Sequence, residues 1–148
     1  MTTKHYVTKN EKLVRTIKWS AAFETGIALI DQQHQAVFEP VNELGRAITA
    51  GLGAPEIGRL LRAILQDIEE HFATEELLLK ENDYPGYAKQ QAEHEQALQK
   101  LRRIILRSPA DHLSAAQEFH ALCCDWLINH ISGPDRAYAE FLLSKGVL

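Results

Sequence analysis

Residues 64–81, Ile-Leu-Gln-Asp-Ile-Glu-Glu-His-Phe-Ala-Thr-Glu-Glu-Leu-Leu-Leu-Lys-Glu, decide how this chain is read. At their centre stand His71 and Glu75, four residues apart and so on one face of a helix. That face also carries Ile57, Leu60, Leu61, Ile64, Ile68, Leu78 and Leu79. A histidine and a glutamate therefore point where the apolar residues point. An ionised carboxylate among leucines costs several kcal/mol unless it is paired or bound to a metal. Two readings stay open on this stretch alone: a polar pair that satisfies itself in the interior, or half of a metal site.

Working outward, the periodicity predicts three more long helices and a short one. Trp19 to Gly26 reads as an extended lead-in. A first helix starts near Asp31, which suits an N-cap, and Val37, Phe38, Val41, Leu44 and Ile48 mark its inner stripe. Pro40 falls inside that pattern, and the periodicity continues on both sides of it. Gly51 and Gly53 end the helix. Pro55 suits the first turn of the second, which runs to about Glu81. Tyr84-Pro85-Gly86 is a turn. The third helix covers about Tyr87 to Arg107, with Leu98, Leu101, Ile104 and Ile105 inward, and Ser108-Pro109 stops it. The fourth, capped by Asp111 or Ser114, reaches about Ile131 with Ala116, Phe119, Cys123, Trp126 and Leu127 inward. Ser132-Gly133-Pro134 breaks it, and a last helix runs from about Asp135 to Lys145. Four helices of this length with short connections predict an all-α fold, an antiparallel up-down four-helix bundle. Residues 1–18 are expected to form an N-terminal arm and residues 19–148 the bundle domain, closed by the short C-terminal helix.

Composition narrows the function classes. Hydrophobic residues make up 45 % of the chain, enough for a proper core, and the formal net charge is −4, which argues against a nucleic-acid partner. The arm holds Lys4, Lys9, Lys12, Arg15 and Lys18 against Glu11 alone, the pattern of a solvated charge run. It has neither the apolar core nor the cleavage pattern of a secretory signal. No apolar run approaches the ~20 residues of a membrane span. Cys123 and Cys124 are adjacent within a helix and read as reduced core fillers. A cytoplasmic monomer with no membrane contact is expected.

The inner stripes carry more than apolar residues. His34 lies near the start of helix 1, His71 and Glu75 late in helix 2, Gln90 and His94 early in helix 3, and His130 at the end of helix 4, with Asp135 just past the break. Antiparallel order puts all of them at one end of the bundle. One core histidine is usually just hydrogen-bonded. Four on four facing stripes at one level, with two carboxylates, suit iron, manganese or zinc, and six protein ligands are too many for one zinc. Two ions bridged by two carboxylates fit the count. His5, His112 and His120 serve as controls: one is in the arm, one is ~27 Å along its helix from His130, and one is off to the side. All three are read as structural or exposed.

These residues resemble the bacterial hemerythrins, a family with a non-haem di-iron oxygen-binding site. The similarity runs through Trp19-Ser20 and Gly26-Ile27-Ala28-Leu29-Ile30-Asp31-Gln32-Gln33-His34, then His71-Phe72-Ala73-Thr74-Glu75-Glu76. It continues in Tyr84-Pro85-Gly86-Tyr87 with Glu93-His94, and in Trp126-Leu127-Ile128-Asn129-His130-Ile131 with Asp135, covering about residues 17–140. The resemblance implies that His34 and His71 bind the iron left open for dioxygen, that His94 and His130 bind the other, and that Glu75 and Asp135 bridge both beside an oxo or hydroxo group. One position departs from the family pattern. The third motif has two histidines four apart, and the first falls at Gln90, whose amide oxygen is a weak neutral ligand.

Three functions are weighed on this basis. The first is a non-enzymatic protein that binds dioxygen for storage, delivery or sensing, with an altered second iron site. The second is a di-iron enzyme of peroxidase or oxidase type, or a protein responsive to nitric oxide or peroxide. The third is a structural site for zinc or a single ion. The ferritin-type spacing of a glutamate three residues before a histidine is absent, since Ile68 precedes His71 and Gln91 precedes His94. No residue stands out in the sequence as a proton donor to the site.

Overall fold

The computed structural model describes residues 14–107 and 110–147. Among these, five helices follow one another: α1 (Ala28–Thr49), α2 (Ala54–Glu81), α3 (Tyr87–Leu106), α4 (His112–Ser132) and α5 (Pro134–Ser144), preceded by one 3-10 turn at Ala21–Phe23. No strand occurs among the described residues. Helices α1 to α4 form the antiparallel bundle, and α5 packs against α4 at its end.

The helix boundaries show where local chemistry differs from the periodic reading. Helix α1 begins one turn before Asp31, with Ile27 at the N-cap. Asp31 therefore caps nothing ahead of its own helix. Its carboxylate reaches back and accepts hydrogen bonds from Thr25 N (2.8 Å), Thr25 Oγ1 (2.7 Å) and Gly26 N (3.3 Å). It ties down a lead-in that includes the 3-10 turn and is not wholly extended. Gly26 at φ +88° supplies the turn, in a region that side chains rarely adopt. Pro40 stands inside α1 without ending it. Pro55 lies in the first turn of α2 and Pro134 in that of α5. Asp111 takes the N-cap position of α4.

The apolar core is in two parts. The larger cluster fills the bundle with Val37, Phe38, Val41, Leu44, Leu61, Ile64, Ile68, Phe72, Leu98, Leu101, Phe119 and Leu127, among others. The smaller one joins Ile27, Ile30, Leu79, Tyr138, Ala139 and Leu142 beneath α5. Leu60, Leu78, Ile105 and Trp126, expected on the inner stripes, are only partly buried and pack at the edges of these clusters. An apolar stripe is more than 100° wide, so its margins lie at the helix–helix seams.

Residues 14–18 lie along the bundle. Ile17 is buried, and its backbone N and O pair with the Asn42 side-chain amide at 2.9 and 2.7 Å. The other basic residues expected in the arm, with His5, lie outside the described residues, as does the Ser108-Pro109 stop. No helix among the described residues is long and apolar enough to cross a membrane. Cys123 and Cys124 are buried free thiols, and burial pushes both pKa values up.

Candidate metal centre

On α1 and α2 the polar residues fall between the two apolar clusters. Along α1, His34 stands between Ile30 below and Val37 above; along α2, Glu75 stands between Leu79 and Phe72. The result is a polar layer with an apolar cluster on either side of it along α1 and α2. His34, His71, Glu75, Gln90, His94, His130 and Asp135 all meet in it, each at most 6 % exposed.

The two carboxylates divide the layer into two halves. Glu75 Oε1 lies 2.9 Å from His34 Nε2 and 2.6 Å from His71 Nε2, while its Oε2 faces His94 Nε2 at 3.2 Å. Asp135 Oδ2 lies 3.1 Å from His34 Nε2, and its Oδ1 lies 3.1 Å from His130 Nε2. Each carboxylate thus gives one oxygen to the His34/His71 side and the other to the His94/His130 side. Two groups result whose ligand atoms lie within 4.8 Å of one another: His34, His71, Glu75 and Asp135, and His94, His130 and Asp135. Gln90 belongs to the second side. Its amide nitrogen donates to Asp135 Oδ1 at 2.8 Å and lies 2.9 Å from His130 Nε2.

The unsatisfied atoms point to a cation. Among the described residues, three buried side-chain atoms have no hydrogen-bond partner: His34 Nδ1, and the facing pair Glu75 Oε2 and His94 Nε2, which lie 3.2 Å apart. A buried oxygen and nitrogen are rarely left so in a dry core. Imidazole and carboxylate donors converging on the same space fit iron, manganese or zinc. Protons stand in for that charge in the metal-free chain. Burial alone would depress His34, but its hydrogen bonds to Asp135 and Glu75, with their charges, hold its pKa up at about 9. His94 is raised in the same way, against burial, by Glu75, Asp135 and Glu76. Burial would raise Glu75, and the histidines around it, His71 foremost, overcome this and hold it well below the usual carboxylate range.

The chain matches the model of the Hemerythrin HHE cation binding domain over residues 25–142. It belongs to the hemerythrin family. Among its relatives, the bacteriohemerythrin of Stenotrophomonas maltophilia is 33 % identical over 122 residues, covering 82 % of this chain and 78 % of that one. The bacteriohemerythrin of Methylococcus capsulatus is 30 % identical, over 84 % and 95 % of the two chains. The myohemerythrin of Sipunculus nudus is 29 % identical, over 81 % and 88 %. A crystal structure of wild-type hemerythrin superposes with a TM-score of 0.74 at 29 % identity, covering 86 % of this chain and 98 % of that one. Hemerythrins are di-iron oxygen-binding proteins with this bundle fold, and the polar layer is where this chain can hold metal.

The hemerythrin layer has supports that the helical pattern did not disclose. His71 Nδ1 donates to Gln33 Oε1 at 2.8 Å, and Gln33 in turn bonds Thr74 Oγ1 at 3.3 Å. His94 Nδ1 faces Glu76 Oε2 at 3.4 Å and His130 Nδ1 faces Glu93 Oε2 at 3.7 Å. Oxygen acceptors on Nδ1 leave the Nε2 lone pairs turned inward, the arrangement that orients histidine toward a metal. Phe72 stacks on His94 with ring centroids 3.8 Å apart, and Trp126 on His130 at 3.9 Å. Each outer carboxylate or amide is the sequence neighbour of a site residue, as Gln33 is of His34, Glu76 of Glu75 and Glu93 of His94. That adjacency was the available signal. Of the controls, His112 is half-buried and His120 is buried far from the layer, against Cys124 Sγ at 3.7 Å.

Proposed function

We propose that this chain is a non-haem di-iron protein that binds dioxygen for storage, delivery or sensing in the cytoplasm. His34 and His71 would hold the iron open to dioxygen, His94 and His130 the other, and Glu75 and Asp135 would bridge the two. The observation that carries this reading is the division of each carboxylate between the two histidine pairs. A pair of ferrous ions supplies the electrons with which dioxygen is taken up. The chain's own residues do the rest. The apolar clusters above and below keep water out. Gln33, Glu76 and Glu93 fix the ring tautomers, and the stacked Phe72 and Trp126 hold two of the rings in place.

Gln90 makes the second site unlike the first. Its amide sits where a third imidazole on the His94/His130 side would reach, and turning it over would bring a weak neutral oxygen to the same point. We infer an exchangeable position there. A second reading, a protein responsive to peroxide or nitric oxide, is favoured by a cleft on the same side. It is lined by Leu122, Asp125, Trp126, Asn129, His130 and Pro134 and opens to the surface.

The experiment follows the visible spectrum of the ferrous protein, first without oxygen and then in air. Dioxygen binding predicts a charge-transfer band that appears with oxygen and disappears on its removal. The band should decay several-fold faster in the natural chain than in Gln90→His. Absence of any oxygen-dependent band would overturn the reading, and equal decay would show Gln90 to be without influence on the oxygenated state.

A further inference from the structure

Helix α5 brings a second polar group to the layer. Tyr138 follows Asp135 by one turn and is fully buried, with its ring packed among Ile27, Ile30, Leu79 and Leu142. Its hydroxyl donates to Glu75 Oε1 at 3.0 Å, its one hydrogen bond among the described residues. A carboxylate oxygen accepts, so in this pair the phenol is the donor.

The bond makes Glu75 asymmetric. Oε1 meets His34, His71 and the phenol, whereas Oε2 meets only His94. A carboxylate oxygen that accepts a hydrogen bond has less electron density left for a cation, and a ferric ion demands more of it than a ferrous one. Partners just outside a metal's ligands commonly change its binding by tenfold or more.

We infer that Tyr138 is a positioning residue that acts through Glu75: its hydrogen bond weakens the Oε1 donor on the His34/His71 side and so favours the ferrous state there. The inference rests on the di-iron reading. Its consequence is a centre that resists oxidation through a phenol that does not itself touch the metal.

The test is a mediated redox titration of the iron-loaded chain beside Tyr138→Phe, which removes one oxygen atom and keeps the ring. Tyr84→Phe is the control, since Tyr84 neighbours Tyr138 edge-on but makes no contact with the site. Tyr138→Phe should shift the ferric–ferrous equilibrium about tenfold toward ferric, a midpoint potential about 59 mV lower for a one-electron step. Tyr84→Phe should leave it in place. 3-Fluorotyrosine inserted at position 138, a stronger donor of nearly the same shape, should move the potential upward, and it decides the matter if Tyr138→Phe loses iron. A Tyr138→Phe protein that holds two irons at an unchanged potential would overturn the inference and leave the di-iron reading standing. A natural chain without two irons or without a redox couple would overturn both.

Discussion

His34 and His120 are both buried in the helical core, at 1 % and 3 % exposure, and their surroundings drive them in opposite directions. His34 Nε2 lies between Glu75 and Asp135, which overcome the effect of burial and keep it protonated up to about pH 9. His120 has a thiol beside it, Gly45 packed against its ring and Arg15 nearby. Burial, then the Arg15 charge, lowers its pKa. Burial by itself makes an imidazole neutral and ordinary. Carboxylates aimed at the same point turn a cluster of buried imidazoles into a place for a cation.

Removing the carboxylate should break this contrast most severely. Glu75→Gln keeps the volume and deletes the charge shared by both halves of the layer, so bound iron should fall from two per chain to below one. Breaking a buried charged cluster from one side should also cost about 3 kcal/mol or more. His120→Ala should hold two irons and lose only about 2–3 kcal/mol of stability through the cavity it leaves. Elemental analysis with chemical denaturation checks both, and iron loss in His120→Ala would show that the two regions are not separate.

Metal removal and pH sharpen the comparison with smaller effects. Binding at a thousandfold excess over Kd stabilises by about 4 kcal/mol, so chelation should lower Tm by roughly 10 °C while the far-ultraviolet helical signal persists. The metal-free chain should then lose a further few degrees as pH rises from 6.5 to 9. His34 and His94 have raised pKa values when folded, so the folded state binds more protons in that window and its stability is lost as they leave. The iron-loaded chain should show the reverse separation, because protons compete with metal and the gap in Tm to the metal-free chain widens with pH. His120 contributes the smallest term and the opposite sign. Its lowered pKa means stability lost as pH falls below 6.5, a limb that His120→Ala should flatten.

The bundle was legible because residues three and four apart report directly on a helix face. His34, His71, Glu75, Gln90, His94, His130 and Asp135 could be placed in one layer by that rule and by antiparallel order alone. What the rule misses depends on contacts between helices. The Asp31 carboxylate serves the loop behind it, so its apparent cap marks the wrong residue. Gln33 lies about 100° from His34 around α1 and matters only because α2 brings His71 against it. Tyr138 is 63 residues from Glu75, and nothing in the periodicity of α5 tells how that short helix docks. The hydrogen bond that Tyr138 donates to Glu75 was therefore not visible in the sequence, because the packing of α5 sets it.

X-ray absorption at the iron edge of the iron-loaded chain tests the central claim most directly, namely that Glu75 and Asp135 join two metal ions. A shared pair predicts an iron backscatterer within about 4 Å of each iron, together with imidazole scattering, and loss of the iron–iron signal in Glu75→Gln. Imidazole scattering around a single iron, with no second metal at that range, would contradict the account.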